Sequence, residues 1–357
     1  MSTVRSSRLE SVDALRGITV AAMLVVNDAG DWDHVFRWLE HASWHGCTLP
    51  DYIFPFFMVI VGVSITLALG PRLARGVATP VLARSVVLRG LRIILLGLAL
   101  HAFASGVLPG REMRVMGVLQ RIGICFGAAG LVVVYFRAAW QWGLMVALLV
   151  AYGVLLWAGG PMEPHLNIVD RVDTSVLGPY AYVFDAQTGR GQDPEGLLST
   201  LGALASTLLG VRAGVWLQSG HLRKLVALGC GLLAAGSLGT LVMPLNKQLW
   251  TPTFVLWTGG AAVLLLSAAS WLVDRRGWPV LFRSMGLNAI VVYAGAWVAT
   301  CLLEGTGAMP LVYRSLFVPL VPTLGLQGAS LAFALVFTAA GWGLMGWFER
   351  KGWRFSI

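Results

Sequence analysis

Ten apolar runs, each near the roughly 20 residues needed to cross about 30 Å of hydrocarbon, constrain this chain more than any other feature. They lie near 12 to 28, 51 to 70, 84 to 105, 117 to 136, 140 to 159, 196 to 215, 224 to 243, 252 to 273, 280 to 303 and 326 to 348. Backbone polar groups in hydrocarbon must satisfy one another, so runs of this kind are predicted to be helices. The expected fold is an all-α polytopic membrane bundle of about ten transmembrane helices, a single domain over 1–357 with no internal repeat. Charged residues make up 12% of the chain and hydrophobic ones 57%, whereas a soluble domain is about 25% charged. The 43 glycines are spread through the apolar runs, as expected where membrane helices pack closely. The stretch from Pro310 to Leu324 is apolar but interrupted by Pro310, Pro319 and Pro322, and is predicted to be re-entrant or interfacial.

The net charge of +9 is a matter of topology rather than of nucleic-acid binding, because the basic residues fall between apolar runs. With the N-terminus in the cytoplasm, the inner connections hold Arg5, Arg8, Arg16, Arg72, Arg75, Arg84, Arg89, Arg137, Arg212, Arg223, Lys224, Arg275, Arg276, Arg283, Arg350, Lys351 and Arg354. The outer ones hold chiefly Arg37, Arg111, Arg114, Arg171, Arg190, Lys247 and Arg314. Both termini are therefore expected in the cytoplasm. The outer loops 28–50 and 161–195 then share one face with the Asn246-Lys247 turn. The first apolar run has no small-residue cleavage site and is read as a retained helix. Four cysteines, Cys47, Cys125, Cys230 and Cys301, show no paired spacing, so neither a disulfide framework nor a zinc motif is expected.

Against this apolar background, His41 and Asp51 stand out at the mouth of the second run, where ionisable groups are costly and usually functional. His41 and His45 are four apart with His34 upstream, but no HExxH pattern or third ligand accompanies them, and no metal is expected. Asn27 closes the first run, as a helix cap or as a donor to an oxyanion. Asp51 is favoured by the helix dipole, or it orients the His41 imidazole. Asp13 and Arg16 have the spacing of an i,i+3 ion pair. Arg121 sits inside an apolar run and needs a partner or a wet cavity. Asp193-Pro194 reads first as a helix start, with Asp193 as N-cap, and otherwise as an acceptor contact together with Glu195. Lys247 is a snorkelling anchor or a site residue, and Asn288 must find a partner in the bundle.

The string His41-Ala42-Ser43-Trp44, followed by Gly46, Thr48, Asp51, Phe54, Pro55 and Phe57, resembles the signature of the transmembrane heparan-α-glucosaminide N-acetyltransferases and their bacterial NagX-like relatives. The resemblance extends through Arg8 to Gly17, Gly117 to Ile122, Asp193 to Thr200, Pro244 to Thr251 and Gly286 to Ile290. It implies that His41 is the catalytic histidine, with Asn27 ahead of it, and that acetyl-coenzyme A is the co-substrate. His45 stands where relatives often have asparagine, against a metal pair. Candidates for holding the cofactor are Arg16, Arg89 and Arg121, since guanidinium forks suit phosphate. Candidates for substrate contact are Trp44, Asp193, Glu195, Asn246, Lys247, Trp250 and Asn288. The resemblance also suggests a homodimer in a bacterial cytoplasmic (inner) membrane. The large outer N-terminal domain of the animal enzymes is expected to be missing, so a small amino sugar or a glucosamine-containing oligosaccharide fits better than polymeric heparan sulfate.

Acetyl-coenzyme A is made inside and is too charged to cross hydrocarbon, so its thioester arm is expected to thread through the bundle to His41. His41 acts either as general base in a ternary complex or as nucleophile through an acetyl-imidazole. Transfer to a hydroxyl, an amino-sugar transporter and a non-catalytic membrane subunit are the alternatives.

Overall fold

The computed structural model describes residues 9–355, so Arg5 and Arg8 lie outside the described residues. The chain is almost wholly helical. The helices are α1 (Glu10–Asn27), α2 (Ile53–Ala74), α3 (Thr79–Val107), α4 (Val118–Tyr135), α5 (Ala138–Ala158), α6 (Ile168–Leu177), α7 (Thr200–Gln218), α8 (Leu222–Gly239), α9 (Pro252–Ala269), α10 (Arg283–Leu287), α11 (Ala289–Gly305), α12 (Ala308–Leu316) and α13 (Val321–Arg350). Among the described residues, eight helical segments are long and apolar enough to cross a membrane. The other two of the ten expected runs are α1, charged at Glu10, Asp13 and Arg16, and α11, apolar but only 17 residues long.

The core is formed chiefly by α2, α4, α7 and α9, through residues such as Met58, Ile60, Val63, Ile122, Leu208, Leu209, Phe254 and Val263. The contact between α2 and α7 is the most extensive in the bundle, and glycine makes it possible. A Cβ on Gly62 would stand 2.0 Å from the Thr207 carbonyl oxygen, and one on Gly210 2.0 Å from that of Val59. Backbones this close gain dispersion contacts that lipid cannot replace. The peripheral α5 and α13 instead present Val146, Val150, Val154, Leu335 and Val336 outward, as a lipid-facing surface requires.

Two expectations need correction. The run 280–303 is not one helix but α10 and α11, broken at Asn288 (φ −123°, ψ 33°). The break lets Gly286 lie against α1, where a Cβ would meet the Asp13 carbonyl oxygen at 2.0 Å. The run 196–215 begins only at Thr200, so Asp193 is not an N-cap. Its carboxylate is drawn instead to Arg114. The stretch 310–324 holds α12, a 3-10 turn at Val318–Leu320 and the first turn of α13, which kinks at Gly325 (φ 72°).

The segment 161–195 is also more structured than a loop. It contains α6, with Asn167 capping the Asp170 N–H, and an antiparallel hairpin of β1 (Val183–Asp185) and β2 (Arg190–Gln192) in which Phe184 pairs with Gly191.

Candidate functional site

Where α1 ends, three segments distant in sequence meet. Gly46, at φ 118°, a value suited to glycine, donates its N–H to the Leu245 carbonyl at 2.8 Å. Asn246 is fully buried. Its amide donates to the Trp44 carbonyl at 3.0 Å, while its Oδ1 accepts the Leu249 N–H at 2.8 Å. The Trp44 indole donates to the Met162 carbonyl at 2.7 Å. Asn246 and Trp44 thus clasp the segments 41–48, 161–163 and 244–251 together.

The turn that Asn246 closes sends its side chains two ways. Lys247 points to the space beside His41, while Trp250, at φ 50°, enters the core, where its indole donates to Ser206 at 3.1 Å. Thr251 then caps α9.

Asp51 is 1% exposed. Its Oδ2 accepts the N–H groups of Thr48 (2.9 Å) and Ala42 (3.1 Å), and its Oδ1 lies 2.7 Å from His41 Nδ1. An ionised carboxylate only accepts hydrogen bonds, so the neutral imidazole carries its proton on Nδ1 and leaves Nε2 free. Lys247 Nζ stands 3.1 Å from Nδ1 and 3.3 Å from Nε2 of His41, and 3.5 Å from Asp51 Oδ1. Its near-equal distances to both ring nitrogens place the ammonium over the ring rather than on the axis of the Nε2 lone pair. Burial pushes the Lys247 ammonium below its usual value, against the pull of Asp51 and Glu195. Burial also pushes the neighbouring Cys47 thiol up to about 12, so it is no thiolate nucleophile at neutral pH.

His41 and Lys247 open onto a cavity of about 510 Å³, the size of an ordinary small-molecule site. One long wall is a face of α11, from Glu304 through Thr300, Trp297, Tyr293 and Ile290 to Ala289. At about 1.5 Å per residue, that wall is roughly 22 Å long, much of a bilayer's hydrocarbon thickness. The remaining walls come from α1 (Thr19 to Asn27), α2 (Ile53, Phe54, Phe57) and α4 (Val118, Leu119, Ile122). The deep part is apolar and the mouth charged. At the mouth Arg114 bridges Asp193, at 3.0 and 2.6 Å, and Glu195. Burial would raise the Glu195 carboxyl, but Arg114 and Arg121 hold it below its usual value.

The candidates named from the sequence are dispersed by this geometry. Asn27, His41, Glu195 and Lys247 line the cavity, with Asp51 behind His41. Trp44, Asp193, Asn246 and Trp250 stand behind the walls as supports. Arg121 is wholly enclosed, donating to the Gly196 carbonyl at 3.1 Å and to the Ser199 hydroxyl under the Trp250 ring at 5.1 Å. Arg89 lies over Phe126 at 5.2 Å. At the far end from His41, Arg16 bonds Asp13, Ser64 and the Gly286 carbonyl. There Asn288 Oδ1 accepts the Phe355 N–H at 2.9 Å. The ring of His45 faces Glu163, at 3.8 Å, and Asn246, at 3.3 Å, and does not share the partners of His41. Among the described residues no group of three or more His, Cys, Asp or Glu side chains is arranged to hold a metal.

Sequence reasoning missed Asp28, whose carboxylate accepts the Thr300 hydroxyl at 2.6 Å and ties α1 to α11. It also missed the stack of His101 on Trp297, 5.3 Å between centroids. Neither joins residues near in sequence.

Residues 8–176 match the family model described as "Heparan-alpha-glucosaminide N-acetyltransferase, catalytic". Over 352 residues the chain is 27% identical to heparan-alpha-glucosaminide N-acetyltransferase of Homo sapiens, covering 81% of this chain and 52% of that protein. The protein of the same name from Mus musculus is also 27% identical, over 82% of this chain and 54% of its own length. The chain spans about half the length of the curated relatives it matches. The resemblance carried by the His41 segment is thus borne out well beyond that segment.

Proposed function

We propose that this relative of the heparan-α-glucosaminide N-acetyltransferases is a transmembrane N-acetyltransferase. It takes acetyl from cytoplasmic acetyl-coenzyme A and passes it to the amine of a glucosamine-containing saccharide at the opposite membrane face. The observation that carries this reading is the cavity that follows α11 from Ala289 to Glu304 with His41 and Lys247 at one end. A charged nucleotide cannot cross hydrocarbon, but an extended pantetheine arm can lie in a narrow apolar channel of that length. Arg16, beside Gly286 at the far end, is the guanidinium we assign to the phosphates.

The hydrogen bonds support the following roles for the reacting groups. Asp51 holds His41 Nδ1, so Nε2 faces the acceptor as base, as in other carboxylate-oriented imidazoles. The amine nitrogen attacks the thioester carbonyl and loses a proton to Nε2. The tetrahedral intermediate then collapses, the C–S bond breaks, and the coenzyme A thiolate takes that proton. Asn27, on the cavity wall, supplies a neutral donor near the oxyanion. Glu195 and Arg114 at the mouth suit the hydroxyls of a sugar. A small amino sugar fits a cavity of about 510 Å³ better than a polymer held along its length.

The experiment is release of free coenzyme A from acetyl-coenzyme A by the purified protein, with and without glucosamine, for wild type and His41→Ala. Acceptor-dependent release that His41→Ala loses supports the reading. A stoichiometric burst without acceptor assigns His41 as the acetyl carrier. Glucosamine flux through liposomes with no release of coenzyme A overturns the enzyme in favour of a transporter.

A further inference from the structure

We infer that Lys247 is a catalytic residue of the acetyl transfer, its ammonium meeting the negative charge that develops on the thioester carbonyl oxygen. The inference rests on the acetyl-transfer reading and adds the group that stabilises its transition state.

Position is the first argument. Lys247 Nζ lies within 3.3 Å of both ring nitrogens of His41 and lines the cavity. A carbonyl carbon attacked by an amine at Nε2 therefore has its oxygen within reach of the ammonium. The turn fixes that position, because Asn246, the residue immediately before Lys247, is anchored by three polar contacts of its side chain, with Trp44 O, His45 Nδ1 and the Leu249 N–H.

Charge is the second argument. The nearest carboxylate, Asp51 at 3.5 Å, is already engaged by His41 and by two backbone N–H groups. Glu195, which also lines the cavity, is bound by Arg114. The side chain of Lys247 is 19% exposed, and the carboxylate of its close ion pair, Asp51 at 3.5 Å, is shared with His41 and the Ala42 and Thr48 N–H groups. A lysine that only anchored a membrane segment would send its charge to water, whereas this one turns inward over an imidazole. An ammonium in such surroundings acts on developing charge more strongly than it would in water.

The step balances. The N–C bond forms as the carbonyl π pair moves to oxygen beside Lys247, and the amine proton passes to His41 Nε2. The pair then returns from oxygen, the C–S bond breaks, and the thiolate leaves with the proton from His41. Lys247 keeps its own proton throughout.

The test compares wild type with Lys247→Met, Lys247→Arg and Lys247→Cys in the purified full chain, with acetyl-coenzyme A and glucosamine. The expected result is a kcat lower by roughly 10²- to 10³-fold in Lys247→Met, the scale for loss of one oxyanion donor, with the acceptor KM little changed. Lys247→Arg retains part of the rate. Treating Lys247→Cys with 2-bromoethylamine, which rebuilds an ammonium at the same reach, restores turnover, while equally treated wild type serves as control. Retained kcat in Lys247→Met, or a loss confined to the acceptor KM, overturns the inference and leaves Lys247 a binding residue. Absence of rescue in a Lys247→Cys protein that melts like wild type also overturns it. A wild-type protein that releases no coenzyme A under any condition sinks the acetyl-transfer reading itself, an outcome distinct from failure at Lys247 alone.

Discussion

Asp51 holds the imidazole of His41 from behind, its Oδ1 2.7 Å from Nδ1 and its Oδ2 on the N–H groups of Ala42 and Thr48. The same carboxylate thus folds the 42–48 loop and sets the tautomer of the histidine. Replacing Asp51 by Asn exchanges a pure acceptor for a group that can donate, and the imidazole can then turn its lone pair to Nδ1. Steady-state kinetics of Asp51→Asn should show a fall in kcat of up to about 10⁴-fold, the scale known for a mis-set tautomer. A kcat within a few-fold of wild type would mean that Asp51 serves the loop alone.

The bridge from Arg114 to Asp193 and Glu195 also holds the cavity mouth together. The Asp193 side chain is fully buried and that of Glu195 11% exposed. Arg114→Met leaves two carboxylates in the wall without their cation, which should cost about 3–5 kcal/mol, read as a lower melting temperature in detergent. Adding Asp193→Asn and Glu195→Gln to Arg114→Met should recover most of that loss, since the unpaired charges go with them.

Asn246 tests the clasp. Asn246→Ala removes the bonds to Trp44 and Leu249 and leaves a buried carbonyl and N–H unpaired, at a cost of about 1–3 kcal/mol each. Because the clasp also aims Lys247 at His41, kcat should fall with the melting temperature. A protein destabilised but fully active would show that the 244–251 turn does not position the site.

Asp173 supplies a pH dependence of stability. It is fully buried, and burial pushes its carboxyl up to about 7, opposed by the Leu197 N–H on its Oδ1. The folded state therefore holds this proton more tightly than the unfolded chain, where a carboxyl titrates near 3.9. The stability it contributes is fully present below the unfolded value and is lost as the pH rises to about 7. Thermal melts of wild type between pH 4 and 8 should show this decline, and Asp173→Asn should flatten it. An unchanged slope in the variant would assign the dependence to another group.

Much of the bundle was legible because an apolar run of some 20 residues in a membrane has few alternatives to a helix. Eight of the ten runs appear as long apolar helices, together with α1 and α11. The break at Asn288 was not legible: Asn288 reads as a polar residue in need of a partner, but only the packing of α1 against Gly286 shows why the helix is interrupted there. Within the site, His41 and Asp51 were legible because they are ten residues apart beside a helix start. The approach of Lys247 to His41 spans 206 residues and depends on how Asn246 folds its turn. Arg121 is a site candidate in the sequence because a charge inside an apolar run needs a partner or a wet cavity, and Trp250 because its turn resembles the family's. In the structure the Arg121 guanidinium lies over the Trp250 ring at 5.1 Å in the core, with its Nε and Nη1 buried and without a hydrogen-bond partner among the described residues. Asp193 looked like a helix cap because the cation that claims it, Arg114, lies in another loop.

The central claim is that acetyl passes from one membrane face to the other along the α11 cavity, and sidedness tests it most directly. Purified protein is reconstituted in sealed proteoliposomes with acetyl-coenzyme A on one side only and glucosamine on the other, and N-acetylglucosamine is measured in both compartments. The account predicts product in the glucosamine compartment and free coenzyme A in the opposite one, both abolished by His41→Ala. Product formed only when both substrates share a compartment would contradict transfer across the membrane.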